Sequence, residues 1–125
     1  MKRKGILCFL KKDNQILLIK VDFGDKLVWN GISGFIDEKE TNQEAAIREV
    51  NEELGIIVDK KSLTYKGNHI ISDQLNLDIF IASQWQGNPK PQEESIKEIQ
   101  WFEINNLPYH QMFEDNKDWL PKFLK

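Results

Sequence analysis

The sequence predicts an α+β sandwich, with sheet in the middle and helices outside it. Three observations carry that expectation. Two short, nearly continuous apolar runs, Gly5 to Leu10 (GILCFL) and Gln15 to Val21 (QILLIKV), read as strands buried on both faces. One long amphipathic helix with marked ends follows them. After it come further alternating strands and an aromatic-rich tail that closes on a last helix. The 125 residues suit one compact domain, residues 1–125, with one core.

The Lys12-Asp13-Asn14 turn joins the first two runs as a hairpin. Lys20 stands near the end of the second run, where it either snorkels or meets an anionic ligand. Trp29-Asn30-Gly31-Ile32-Ser33-Gly34 then spaces two glycines so that the backbone can turn sharply or pass close to a neighbour. The long helix is bounded by local signals. Thr41 followed by Glu44 forms a capping box, and Gly55 is a natural C′ residue, so the helix should stop at about Leu54.

Beyond the helix, Leu63 to Ile71 reads as a strand interrupted by Gly67. Leu75 to Ser83 alternates cleanly, with Leu75, Leu77, Ile79 and Ile81 on one face. Gln86-Gly87-Asn88-Pro89 is turn chemistry, Pro89 to Glu94 a polar loop, and Glu98 to Glu103 one more strand. In the tail, Asp115 or Asn116 caps a final helix in which Pro121 sits awkwardly.

The long helix is where the chemistry gathers. With Glu49 at zero on a wheel of about 100° per residue, Glu53 falls near 40° and Glu52 near 300°. Ile47, Val50 and Leu54 form the face that should meet a core, and Ala45 lies between the carboxylates. These acids are not interleaved with Lys at i+4, as a salt-bridged surface helix prefers. Like charges on one arc repel and await a cation, and oxygen ligands suit Mg²⁺ or Mn²⁺ better than zinc.

Bulk composition narrows the partners. A net charge of −3 gives no electrostatic footprint for a nucleic acid polymer or an anionic membrane. No apolar run reaches transmembrane length, and MKRKGILCFLKKD is too briefly apolar for a signal peptide, so a cytoplasmic location is expected. The single cysteine, Cys8, is expected to be a small buried hydrophobe. His69 and His110 lack matching ligand spacing, so both are expected to be structural or surface residues.

The stretch Gly34 to Ile56, GFIDEKETNQEAAIREVNEELGI, resembles the signature of the Nudix hydrolases, G-x5-E-x7-R-E-U-x-E-E-x-G-U with U apolar. Gly34, Glu40, Arg48, Glu49, Val50, Glu52, Glu53, Gly55 and Ile56 fill every constrained position. The resemblance implies a Nudix-type α/β/α sandwich with a mixed central sheet, in which a loop–helix–loop binds Mg²⁺ and cleaves diphosphate bonds. It implies Glu49 and Glu53 as metal ligands and Glu52 as ligand or general base. Arg48 would orient the carboxylate of Glu40, and the backbone carbonyl of Ser33 would complete a metal site. A further acid from a later loop would be Glu98, with Glu94 its competitor.

A second resemblance, to the MutT-homologue branch that clears oxidised purine nucleoside triphosphates, rests on Trp29-Asn30-Gly31 and on the tail. The tail residues are Trp101-Phe102, Leu107-Pro108, Met112-Phe113, Asp115-Asn116 and Trp119-Leu120-Pro121. It implies a nucleoside triphosphate substrate such as 8-oxo-dGTP. Asn30, Asp115 and Asn116 would hydrogen-bond the purine, Phe113 would stack on it, and Lys20 would lie near the pocket. These relatives carry Trp at the position of Phe113 and a second Asp at that of Asn116. They also extend into strands beyond Lys125, which implies here a more open pocket or one closed by another subunit, in a monomer or homodimer. Rival expectations are the same chemistry on ADP-ribose, a dinucleotide or a capped RNA end, and a non-catalytic nucleotide sensor.

Overall fold

In the computed structural model, which describes residues 3–125, the central sheet is built from seven strands. They are β1 (Arg3–Lys12), β2 (Gln15–Asp22), β3 (Leu27–Asn30), β4 (Ile32–Phe35), then β6 (Leu63–Ser72), β7 (Leu75–Ala82) and β9 (Ile96–Glu103). A separate two-stranded ribbon pairs β5 (Ile57–Val58) with β8 (Trp85–Gln86). The sheet path runs β3-β2-β1-β7-β6, with β4 added to β1 and β9 to β2. It is mixed: β1 and β7 are parallel, and the other pairs are antiparallel.

The predicted hairpin exists, but its arms part at once. β1 and β2 pair only at Lys11 with Ile16 and Lys12 with Gln15. Beyond that point β1 lies between β4 and β7, while β2 lies between β3 and β9. Their residues alternate between two cores. Ile6, Cys8, Leu10, Leu17 and Ile19 join α1 (Asn42–Leu54) in one cluster. Leu7, Phe9, Ile16 and Leu18 join the C-terminal segment in the other. Burial on both faces is why these strands read as unbroken apolar runs. Cys8 lies wholly in the first core, and burial pushes its thiol up to about 12.

Of the two readings of Trp29 to Gly34, close passage is the one observed: the stretch is extended, and its glycines let the backbone pass close to a neighbour. Its two halves are strands in different parts of the sheet, β3 on β2 and β4 on β1, and Gly31 is the crossing point. A Cβ there would come within 2.6 Å of the Phe9 ring, so the crossing closes only without a side chain.

α1 begins and ends where the local signals put it. The Thr41 hydroxyl accepts from the Glu44 amide, the Glu44 carboxylate accepts from the Thr41 amide, and Gly55 closes the helix at φ 73°. The tail holds a single helical turn, α2 (Asn116–Trp119), running into a 3-10 segment at Leu120–Phe123 that accommodates Pro121 near its start. Asp115 occupies the N-cap position of α2 without a side-chain capping bond. Among the described residues, no helix is long and apolar enough to cross a membrane.

Candidate active site

One side of the acid arc of α1, Glu49 and Glu53, turns inward, while Glu52 stays exposed. Ala45, which the wheel places between the carboxylates, is fully buried in the core. Glu49 therefore folds back against β4, where its carboxyl group fills the space that a Cβ on Gly34 would need. Its side chain is only 15% exposed, against 51% for Glu52 further round the helix.

Arg48 organises the group. Its Nε and Nη2 donate to both carboxylate oxygens of Glu40, at 2.9 and 2.7 Å. Nη2 also donates to the Phe35 carbonyl at 3.0 Å, while Nη1 donates to Glu49 at 2.7 Å and Glu52 at 3.1 Å. Glu40 in turn accepts from the Asp37 amide at 2.9 Å, which ties the loop before the helix to the helix itself.

Hydrogen bonds from Arg48 and from the Asp37 amide lower the Glu40 pKa from 4.5 to about 2. A depressed folded-state pKa stabilises the fold above the unfolded value and loses that contribution as pH falls through the folded one. Acid titration followed by denaturation should therefore show stability falling from about pH 4.5 toward pH 2, and a shallower fall in E40Q.

Glu53 has the opposite environment. Its Oε2 is buried and finds no hydrogen-bond partner among the described residues. Burial, then the charges of Glu49, Glu93 and Glu52, hold its carboxyl well above the usual carboxylate range. Glu93 arrives from the polar loop because the Lys90 and Gln92 amides donate to the last helix carbonyls, those of Leu54 and Glu53, at 3.0 Å each. Glu93, from the loop that also carries Glu94, is thus the loop acid whose charge reaches Glu53. Glu98 is instead the cross-strand partner of Lys20, with the two side chains paired at 3.0 Å.

A buried, orphaned carboxylate oxygen crowded by other carboxylates fits an oxygen-coordinated divalent cation. Glu49, Glu52, Glu53 and the Ser33 carbonyl, joined by Glu93, are the groups that could hold it. Among the described residues no three His, Cys, Asp or Glu side chains already surround a common point. Nη1 of Arg48 holds Glu49 and Glu52 in that arrangement instead.

On the other side of β4, a cavity of about 300 Å³ brings together Asn30, Ser33, Phe113, Asp115, Asn116 and Trp119 over an apolar floor that includes Leu77. Asn116 is 4% exposed, while Asp115 stands at the rim. Lys20 does not line this cavity. Its ammonium is held by Glu98 and lies 5.5 Å from the Trp29 ring. The cation near Phe113 is Lys26, 5.4 Å from its ring, and Phe23 touches the same ring at 5.4 Å. An aromatic exposed in an otherwise polar loop was the available signal for Phe23.

Comparison with known proteins bears on the family of the chain. A zebrafish (Danio rerio) protein named oxidized purine nucleoside triphosphate hydrolase is 36% identical over 100 residues, covering 78% of this chain and 63% of the relative. A Methanocaldococcus jannaschii protein named ADP-ribose pyrophosphatase is 35% identical over 108 residues, covering 79% of this chain and 60% of its own length. The chain thus spans less than two thirds of either relative. The crystal structure of a MutT NUDIX hydrolase from Burkholderia pseudomallei superposes with a TM-score of 0.75 at 27% identity, covering 86% of this chain and 88% of that one. The model of the NUDIX domain matches residues 1–123, nearly the whole chain, and the chain belongs to that family.

Proposed function

We propose that the chain is a Mg²⁺-dependent nucleoside triphosphate pyrophosphohydrolase, acting on oxidised purine deoxynucleotides such as 8-oxo-dGTP. The observation that carries this reading is the meeting of Asn30, Ser33, Phe113, Asp115 and Asn116 in one cavity, one residue away from the Gly34–Glu49 contact. A base seated there extends its phosphates past Ser33 toward the carboxylates.

Glu49 and Glu53 serve as ligands for Mg²⁺, or for Mn²⁺ in its place, with the Ser33 carbonyl and Glu93 as further donors. When bound, the cation offsets phosphate charge and lowers the pKa of a bound water. Hydrolysis consumes one water: its oxygen bonds to phosphorus, a bridging P–O bond breaks, and monophosphate and pyrophosphate leave. We assign the proton to Glu52, which is exposed and paired with Arg48. Arg48 keeps the carboxylates in position and does not touch phosphate.

Base recognition falls to the cavity. Stacking on Phe113 contributes about 1–3 kcal/mol whatever the base, so discrimination comes from polar groups. Asn116 offers a permanent donor and an acceptor, and Asp115 an acceptor. Lys20 reaches an anionic substrate only by leaving Glu98.

The test is kcat/KM across canonical and oxidised dNTPs, with a marked preference for 8-oxo-dGTP over dGTP expected. Equal values would sink the oxidised-purine reading. The likeness to the archaeal protein named ADP-ribose pyrophosphatase favours ADP-ribose as the competing substrate, and the same assay run with ADP-ribose separates the two.

A further inference from the structure

His69 takes no part in the chemistry above, yet it lies directly behind the nucleobase cavity. It sits on β6 as the cross-strand partner of Leu77, which forms part of the cavity floor. Its imidazole stacks on Trp119 with ring centroids 4.1 Å apart and planes 11° apart. Phe123 closes the group edge-on, 6.1 Å from His69 and 5.9 Å from Trp119.

Trp119 needs such support. Its indole N–H is buried without a hydrogen-bond partner among the described residues, so ring contacts fix its orientation. α2 is a single turn, too short to hold its own shape, and depends on packing for its position. Asn116 and Trp119 are three residues apart on that turn and line the cavity together. A shift of the indole therefore carries Asn116, and Asp115 before it, out of register with a bound base.

We propose that His69 is a positioning residue for base selection, acting through Trp119 on the wall that presents Asp115 and Asn116. The inference rests on the nucleotide reading of the cavity given above. The charged groups facing the imidazole are Lys122 and Asp115. Burial and Lys122 lower its pKa while Asp115 opposes them, so the ring is neutral at pH 7 and acts as a flat aromatic surface.

The experiment compares wild type, H69A, H69L and H69F, with folding checked by circular dichroism and kinetics measured on 8-oxo-dGTP, dGTP and dCTP. H69A and H69L are expected to raise KM for 8-oxo-dGTP about tenfold, with kcat held within about twofold, as loss of one aromatic stack implies. They should also narrow its preference over dGTP and leave dCTP within about twofold of wild type. H69F restores the ring and should restore KM. The proposal is overturned if H69L matches wild type, if kcat and KM shift alike for all three substrates, or if H69F is as impaired as H69L. H69L and H69F decide the matter even where H69A does not fold. A wild type without purine preference would remove the substrate reading and this role together. A purine-selective wild type with unaltered variants would remove only the role of His69.

Discussion

Replacing Glu53 by Gln is expected to lower kcat on the order of 10³-fold at saturating Mg²⁺ while the fold persists. The side chain is nearly isosteric, so packing is kept, but the oxygen proposed as a ligand and its charge are gone. The stability side of the experiment is equally informative. Without metal, Glu53 is a buried carboxylate crowded by Glu49, Glu93 and Glu52, with one oxygen unpartnered among the described residues. Gln relieves that repulsion, so E53Q should melt at or above wild type in metal-free buffer. Added Mg²⁺ should raise the wild-type Tm more than that of E53Q, because only a state that binds the cation gains from it. Full activity of E53Q with Mg²⁺ would show that the metal is held elsewhere.

A G34A substitution should separate activity from stability in another way. The added Cβ would lie 2.2 Å from the Glu49 carboxyl carbon and 2.4 and 2.5 Å from its oxygens. What it meets is the end of a flexible side chain, which can rotate aside for about 0.5–1.5 kcal/mol. The melting temperature should therefore change little. Glu49, however, can no longer rest against β4, and a misplacement of about 1 Å in a reacting constellation costs roughly 10²-fold in rate. Measured kcat/KM should fall by that order. Unchanged activity would mean that the Gly34–Glu49 contact plays no part in catalysis.

How much of this was legible in the sequence varied with how local the cause was. α1 could be read to its ends because Thr41, Glu44 and Gly55 act on the backbone within one turn of themselves. The membership of the acid arc was legible, but its direction was not. A wheel groups Glu49, Glu52 and Glu53 without saying that Ala45 would be driven into the core beneath them. β3 and β4 were hidden inside a glycine-rich stretch, because their extended backbone comes from partner strands and not from propensity. Glu93 was not singled out in the sequence, because its approach to Glu53 depends on two backbone hydrogen bonds that seat the loop on the helix end. The Lys20–Glu98 pair required a strand register that no composition encodes. The cavity residues Asn30, Phe113, Asp115 and Asn116 were named from resemblance, and the fold places them together from opposite ends of the chain.

The crossing at Gly31 has a bearing on how such a protein can change over generations. A run of five residues from Asn30 to Gly34 borders the cavity on one side and supports Glu49 on the other. The tail around Phe113 to Trp119 touches only the first of these. Under the proposed function, substitutions in the tail would therefore retune which molecule is accepted without disturbing the helix carboxylates. A change at the crossing disturbs both functions at once. Innovation has room at the C-terminal end, and the short crossing segment is where inheritance must stay conservative.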